Sequence, residues 1–577
     1  MPAPVRWLLP QIDPSQVRSL SSALGLQTPA ASVLVRRGYA DPDAARRFLE
    51  PSLDGLHDPF LLKSMPEAVA RLLEAIRRGE QILLYGDYDV DGVTSVVILK
   101  KAIERAGGKV SFHVPNRLRE GYGLRGDVIE QAAASGVRLL ISADTGVRAQ
   151  AEVARATALN MDVIITDHHL PDEGLPPAVA VLNPKRPDCP YPDKNLCGAG
   201  VAFKLVQALL QSLGWPEERR RRMLGSFLKL VAIGTVADVV PLTGENRILV
   251  KHGLEGLRSV RNLGLRALLD IAGFGEGDEP SARQVAFRIA PRMNAAGRMA
   301  NAGDVIELFL TEDRERARSL AAGLHSLNEE RQQAEAEIIK SILDECSRSP
   351  VGPGQKALVF SGLNWHRGVV GIVASRLVER FHRPAVVLGE DPETGLAQGS
   401  GRSIPTFHLL EALESMPDLF HQFGGHRQAI GVTLPVARVG EFRERLNARA
   451  AECLSDDDLT PVLELDARVE LSDLTDAAVS ETLSLAPFGC GNPTPVYALL
   501  DVEVAGAPAV LKDKHLRFAV RQGSTTLPLI AWNFAGRLSE LPSGARVDLA
   551  FCCEQDAYAS SRGRAGWSAV VRDVRAR

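Results

Sequence analysis

Three carboxylates fall at every second position of Gly86-Asp87-Tyr88-Asp89-Val90-Asp91-Gly92, a spacing that matches the opening of an EF-hand calcium loop. That loop is excluded here. The twelfth position from Asp87 is Ile98, where a bidentate Glu is required, and the preceding segment is strand-like rather than helical. Taken alone, the segment is either an acidic solvated turn or part of a ligand cluster. Two further segments favour the cluster: Ala143-Asp144-Thr145-Gly146 and Asp167-His168-His169 each follow a short apolar run. Acids gathered near one point raise one another's pKa and are untenable together without cations. Oxygen-rich ligation with one imidazole suits Mn²⁺ or Mg²⁺ better than Zn²⁺, whose structural sites favour thiolates. Consecutive residues of an extended segment point to opposite sides, so one of His168 and His169 is expected to bind metal and the other to face substrate. A fourth segment, residues 231–242, buries Asp238 in an apolar run. An unpaired buried carboxylate is costly, so Asp238 meets either a metal or a structural partner.

The runs that carry these groups are residues 81–86, 138–142 and 162–166, separated by helical patterns such as 149–159. Strand, helix, strand at this spacing predicts a parallel sheet with right-handed crossovers. Acid and imidazole groups then lie beyond the carboxyl ends of neighbouring strands, the edge where open α/β sheets build their sites. Residues 311–346 are charged, rich in alanine and nearly free of breakers. They predict a helix about 50 Å long that spaces two lobes. A second α/β region follows, with strands near 357–361 and 385–388 around a helix at 369–381. After Asp456-Asp457-Asp458 the texture turns to β-like segments at 462–469, 497–504, 516–520 and 527–532, which suggest a small barrel or sandwich. The expected organisation is a helical segment over 1–65, a catalytic unit over 66–310, the connecting helix over 311–346, a second α/β unit over 347–455 and a β-rich unit over 456–577.

A chain of 577 residues with 45% hydrophobic and 24% charged residues holds several cores and needs no disulfide staples. Its net charge of −4 means that any contact with nucleic acid uses local basic patches rather than the field of the whole molecule. The seven scattered cysteines lack zinc-knuckle spacing and read as reduced thiols of a cytoplasmic protein. Neither a signal peptide nor a membrane span is expected. Residues 280–303 carry Arg283, Arg288, Arg292 and Arg298 with no acid. They form either a solvated helix face or a phosphate-binding stretch, to which Asn294 and the small residues around it would admit a backbone. Trp365-His366-Arg367-Gly368 and Gly399-Ser400-Gly401-Arg402-Ser403 are glycine-rich turns with Arg and Ser. Lys512, Lys514, His515, Arg517 and Phe518 form either a strand-binding surface or an ordinary amphipathic strand. The run Glu217-Glu218-Arg219-Arg220-Arg221-Arg222 reads as a solvated helix start.

In their order, Gly86–Gly92, Ser142–Gly146, Asp167–His169 and Gly234–Leu242 resemble the four motifs of the DHH phosphoesterase superfamily. Phe423-Gly424-Gly425-His426 resembles the signature of its associated second (DHHA1-like) domain. The length and β-rich tail narrow the resemblance to RecJ-type single-strand-specific 5′-to-3′ exonucleases, over most of the chain from about residue 60. The resemblance implies a parallel-sheet DHH domain, a long connecting helix, a DHHA1-like domain and a C-terminal OB-like barrel. It implies that Asp87, Asp89, Asp144, His168 and Asp238 coordinate two Mn²⁺ or Mg²⁺ ions, with Asp144 as the bridge. His169 would meet the scissile phosphate, and Asp91 would support the ligands, so His169, Asp144 and Asp91 are the expected catalytic set. Arg292, Asn294, Arg298, His366, Arg367, Ser400, Arg402, Gly424, Gly425 and His426 are the expected DNA contacts, some of them gripping a 5′ phosphate. The implied activity is release of mononucleotides from the 5′ end of single-stranded DNA in recombination and repair. Single-strand-binding protein and a repair helicase are the implied partners of a monomer. The alternatives are a phosphodiesterase of short oligonucleotides or cyclic dinucleotides, against which the tail argues, and a non-catalytic DNA-binding scaffold, against which the full set of acids and histidines argues.

Overall fold

The computed structural model describes residues 5–117, 119–556 and 566–577. Gln81–Gly86, Lys109–His113, Val137–Ala143, Asp162–Thr166 and Ala180–Leu182 form a five-stranded sheet. Gln81–Gly86 lies between Lys109–His113 and Val137–Ala143, and all neighbours are parallel. Continuous apolar runs suit such strands because both faces are covered. Alternate side chains serve opposite faces. Ile82, Leu84, Leu139, Ile141 and Ile164 pack under the helices Met65–Arg78, Val90–Arg105, Gly198–Ser212 and Glu217–Ala237. Leu83, Tyr85, Leu140, Val163 and Ile165 pack against Gly126–Ala134 and Gln150–Ala158. In register, Gly86 faces Ala143 and Ala143 faces Thr166. Asp87, Asp144 and Asp167 therefore leave three adjacent strands side by side.

The helix Arg314–Arg348 has 35 residues, and Asp313 caps its start by accepting from Glu315 N at 2.8 Å. Ala317, Leu320 and Leu324 join the core of the first lobe, while Ile338 and Ile342 pack into the second. One helix thus fixes both lobes through opposite ends. The second lobe has a sheet in the order Gln422–His426, Ala429–Pro435, Leu396–Arg402, Ala385–Asp391, Leu358–Leu363, in which only the last pair is parallel. The helix Arg367–Phe381 makes that parallel crossover.

The tail closes on itself. Tyr497–Val504 pairs with both His515–Gln522 and Arg546–Gln555, while Thr525–Ala531 and Trp567–Ala576 complete a five-stranded barrel. Two expectations change here. Residues 462–469 are not one barrel strand: Val462–Glu464 pairs in parallel with Arg6–Leu8, and only Ala467–Arg468 joins Tyr497–Val504. The N-terminal segment is helical, at Pro14–Leu24, Thr28–Arg36 and Pro42–Leu49. It is not a separate unit, because Val17, Leu20, Val33, Leu34 and Phe48 share the barrel's core. Phe518, a candidate for stacking on a strand, is also core at 5% exposure; the exposed ring nearby is Trp532 at 49%, edge-on to His515. Lys512, Lys514 and Arg517 are exposed. Among the described residues, no helix is long and apolar enough to cross a membrane.

Candidate metal centre

Each acid is set by a local backbone feature. Asp89 caps the helix Val90–Arg105, its Oδ1 accepting from Gly92 N at 3.0 Å. A Cβ on Gly92 would lie 2.5 Å from the Asp87 carbonyl oxygen, so only glycine lets the helix begin so close to the strand end. Asp144 has φ 64°, a left-handed conformation that costs energy for a side chain outside glycine and marks a functional turn. Asp238 ends the helix Glu217–Ala237, its N–H donating to Gly234 O at 2.9 Å. Asp91 also holds a helix start: its carboxylate accepts from Gly198 N at 2.5 Å and Ala199 N at 2.8 Å, at the positive end of the helix Gly198–Ser212. It positions that helix against the acids.

Those segments bring the expected ligands together. His168 Nε2 lies 3.2 Å from Asp144 Oδ1, 3.5 Å from Asp238 Oδ2 and 3.8 Å from Asp91 Oδ2. Ligand atoms of Asp87, Asp89 and Asp144 lie within 4.8 Å of one another, as do those of Asp91, His168 and Asp238, and of Asp144, His168 and His169. Asp144 belongs to two of these groups. Asp87 Oδ1, Asp144 Oδ1, Asp238 Oδ2 and both ring nitrogens of His168 are buried without a hydrogen-bond partner. Orphaned buried polar atoms are expensive and rare. Four of them, Asp87 Oδ1, Asp144 Oδ1, Asp238 Oδ2 and His168 Nε2, belong to residues grouped within ligand distance of one another and fit divalent cations. Burial first, and neighbouring acids second, push Asp87 and Asp144 well above the usual carboxylate range and Asp238 up to about 9. Burial drives His168 down to about 3, which keeps it a neutral donor for a metal.

His169 faces a different partner. Its Nδ1 lies 2.7 Å from Asp167 Oδ1, and Asp167 also accepts from the backbone N–H of Val147, His168 and His169. Burial opposes the imidazolium, but the hydrogen bond and charge of Asp167 outweigh it and hold His169 above its ordinary value. The Tyr122 hydroxyl approaches the same Nδ1 at 3.3 Å. The roles of Asp167 and Tyr122 are not visible in the sequence. Asp167 sits inside a motif without a stated task, and no spacing signal links Tyr122 to residue 169.

The expected DNA contacts divide. Arg298 crosses the lobe boundary, donating to Gly368 O at 3.1 Å. Burial, then the charges of Arg117, Arg331 and Arg402, lower it to about 10, a concentration of cations beside Asp89. Arg402 donates to Ser400 Oγ at 2.7 Å, and His366 caps the helix Arg367–Phe381 by accepting from Gly368 N at 3.1 Å. Gly424 lies opposite Gly431, and Gly431 opposite Ser400, a row of small residues running from the exposed edge of the sheet toward Arg402. Gly425 and His426 are exposed on that edge. Three residues depart from a simple contact role. Asn294 Oδ1 accepts from Val90 N at 3.2 Å and so holds the acidic loop. Arg292 donates to the Arg288 carbonyl, and Arg367 is paired with Asp391 at 3.4 Å. In the arginine stretch, Arg283 pairs with Glu554 of the barrel and Arg288 covers the Phe274 ring.

Residues 81–235 match the DHH family N-terminal domain, 354–452 the DHHA1 domain and 465–564 the RecJ OB domain. The chain is 40% identical to the single-stranded-DNA-specific exonuclease RecJ of Bacillus subtilis (strain 168), over 94% of this chain and 68% of that one. The crystal structure of RecJ from Thermus thermophilus in complex with Mn²⁺ superposes with a TM-score of 0.84 at 32% identity, covering 99% of this chain and 79% of that one. The Mg²⁺ complex of the same protein gives a TM-score of 0.78 at 31% identity, covering 99% and 78%. From three matched domains in the expected order, and likeness over nearly the whole length, this chain belongs to the RecJ family of the DHH superfamily.

Proposed function

We propose that this chain, a metal-dependent exonuclease specific for single-stranded DNA, removes mononucleotides from the 5′ end in recombination and repair. The observation that carries this reading is the set of orphaned buried atoms on Asp87, Asp144, Asp238 and His168, residues that fall in overlapping groups whose ligand atoms lie within 4.8 Å of one another. Asp87, Asp89, Asp144, His168 and Asp238 would hold two Mn²⁺ or Mg²⁺ ions, with Asp144 between them. Ions held by these residues would supply an activated water and charge stabilisation for the departing oxygen of an in-line displacement.

The protein's own groups do the rest. With Nδ1 engaged by Asp167, His169 has Nε2 left to meet a phosphate oxygen, and its raised pKa favours the protonated, donating form. Arg298, with Arg117 and Arg402, supplies positive charge for a 5′ phosphate next to the acids. Ser400, His366 and the Gly424–His426 edge offer small, close surfaces for the adjoining backbone, and Arg292 and Arg367 reach phosphate only by leaving their present partners. Asn294 and Asp91 act as positioning residues. The working units are the N-terminal helical segment 1–65, then 66–310, 311–346, 347–455 and 456–577. Single-strand-binding protein, a helicase feeding unwound ends, a monomeric state and a cytoplasmic location complete the proposal.

The test is digestion of end-labelled, 5′-phosphorylated single strands with Mg²⁺ or Mn²⁺, alongside a blunt duplex. Labelled mononucleotides should appear first from the 5′ label, and Asp144→Ala should release none while keeping its circular dichroism. Equal rates on blunt duplex would remove the single-strand reading, and earlier release of a 3′ label would reverse the polarity.

A further inference from the structure

Val239 directly follows Asp238 and has φ 61°. A β-branched side chain crowds its own backbone in that left-handed region, so the conformation is a genuine outlier. Burial of the side chain does not force it, because Val239 is 67% exposed. Strained backbone of this kind persists only where its surroundings over-determine it. Here the surroundings grip residues 239–243, the link from Asp238 to the helix Gly244–Gly256.

The link is held from two sides. On the side of its own lobe, Val240 and Leu242 pack into the catalytic core. Asn246, fully buried, donates to Pro241 O at 3.1 Å and to Asn195 O at 2.6 Å. On the other side stands a turn of the tail, residues 489–492, inside the segment that matches the RecJ OB domain. Gly489 and Asn492 exchange backbone hydrogen bonds at 2.9 and 3.2 Å, and Gly491 between them takes φ 69°. Asn492 is fully buried and stiffens the turn: it donates to Leu485 O at 3.0 Å and Pro487 O at 2.8 Å, while its Oδ1 accepts from Arg37. The turn meets the link at three points. Cys490 O accepts from Leu242 N at 2.7 Å. A Cβ on Gly489 would lie 2.7 Å from Leu242 Cδ1, and one on Gly491 would lie 2.9 Å from Pro241 Cβ. Two glycines are therefore what let the turn close on Pro241 and Leu242.

We propose that this turn is a positioning element for Asp238. Seated on Pro241 and Leu242, it holds Val239 in its strained bend, and the bend keeps the Asp238 carboxylate 3.5 Å from His168 Nε2 among the other acids. The barrel unit thus helps to build the metal centre without giving it a ligand. The proposal rests on Asp238 being a metal ligand, as read above. A ligand set tolerates displacements of only about 0.5 Å, so loosening the turn is expected to weaken metal binding before it unfolds the chain.

The experiment is calorimetric titration with Mn²⁺ of the full-length parent, Gly491→Ala, Gly506→Ala, and Gly491→Ala combined with Val239→Gly. Gly506 is the control: it has φ 83° in the same unit, with open space around its Cβ. In Gly491→Ala the new methyl meets Pro241, and the Kd for Mn²⁺ should rise about five-fold or more. Gly506→Ala should keep the parental Kd. Glycine at 239 adopts the bend without strain, so the combined variant should return toward the parental Kd. Gly489→Ala, whose methyl meets only the movable end of Leu242, should shift Kd in the same direction by less, and it carries the test if Gly491→Ala does not fold. An unchanged Kd in the variants of the turn overturns the proposal, as does an equal rise in Gly506→Ala, which marks a general loosening of the barrel. A combined variant no tighter than Gly491→Ala overturns it as well. A parent that takes up no Mn²⁺ overturns the metal reading itself, and this proposal with it.

Discussion

His168 holds two buried ring nitrogens without hydrogen bonds and is neutral across the physiological range, so a bound metal supplies what the fold withholds. The acids around it impose a pH signature. Asp238 rises from 3.8 to about 9 on folding, so above about pH 4 the folded, metal-free protein keeps a proton that the unfolded chain has lost. Its contribution to stability is complete below about pH 4 and falls as pH rises toward about 9. Metal must displace that proton, so the gain in Tm on adding Mg²⁺ should grow with pH across this interval, and Asp238→Asn should flatten the dependence. Thermal melts with and without metal check both, and a gain that shrinks with pH contradicts the sign. At the neighbouring residue, Asp167→Asn removes the charge that holds His169 above its ordinary value. A fall in kcat of about 10²-fold or more is expected, within the span of general acid–base contributions, with metal affinity little changed. The acids and histidines of the centre are legible in the sequence because a short motif carries each of them. The tasks of Asp167 and Asn294 are not, because each depends on which backbone N–H the side chain meets.

Segments, rather than single groups, set how close those acids can come. The helix Gly198–Ser212 starts against Asp144: a Cβ at Gly198 would lie 2.6 Å from the Asp144 Cβ, too near for both to stay. Gly198→Val should weaken Mn²⁺ binding more than tenfold, about 1.4 kcal/mol. Gly225→Ala, on the helix Glu217–Ala237 with open space around its Cβ, should leave binding unchanged, and calorimetry on the two variants separates them. The β-strands 81–86 and 162–166 and the long helix follow from hydrophobic periodicity and the lack of breakers. Residues 462–469 do not, because their pairing is decided by Arg6–Leu8, and no local pattern announces a parallel partner so far back in the chain.

Across the whole molecule, the chain's two ends are sewn together beside the catalytic lobe. Arg247, fully buried, donates to Phe48 O at 2.7 Å and to Ala486 O at 2.9 Å and stacks on the Phe48 ring. It thereby ties the N-terminal helices, the catalytic lobe and the barrel at one point. The barrel also touches the segment after Asp238, where Cys490 O accepts from Leu242 N at 2.7 Å. Arg247→Ala leaves two carbonyls without their donor and opens a cavity, a loss of about 3 kcal/mol or more. Scanning calorimetry should then separate the melting of the barrel from that of the catalytic lobe; one unshifted transition would argue against this junction. A net charge of −4 already limits nucleic-acid contact to local arginines, yet which arginines face the acids depends on how the two lobes meet. That separates Arg298 and Arg402 from Arg283 and Arg288, which serve packing.

The central claim is that carboxylates at neighbouring strand ends form one centre for two cations. Calorimetric titration of the intact protein with Mn²⁺ tests it most directly. Two ions per chain are expected, with Asp144→Ala losing at least one of them; no uptake by the parent, or an unchanged stoichiometry in Asp144→Ala, would contradict it.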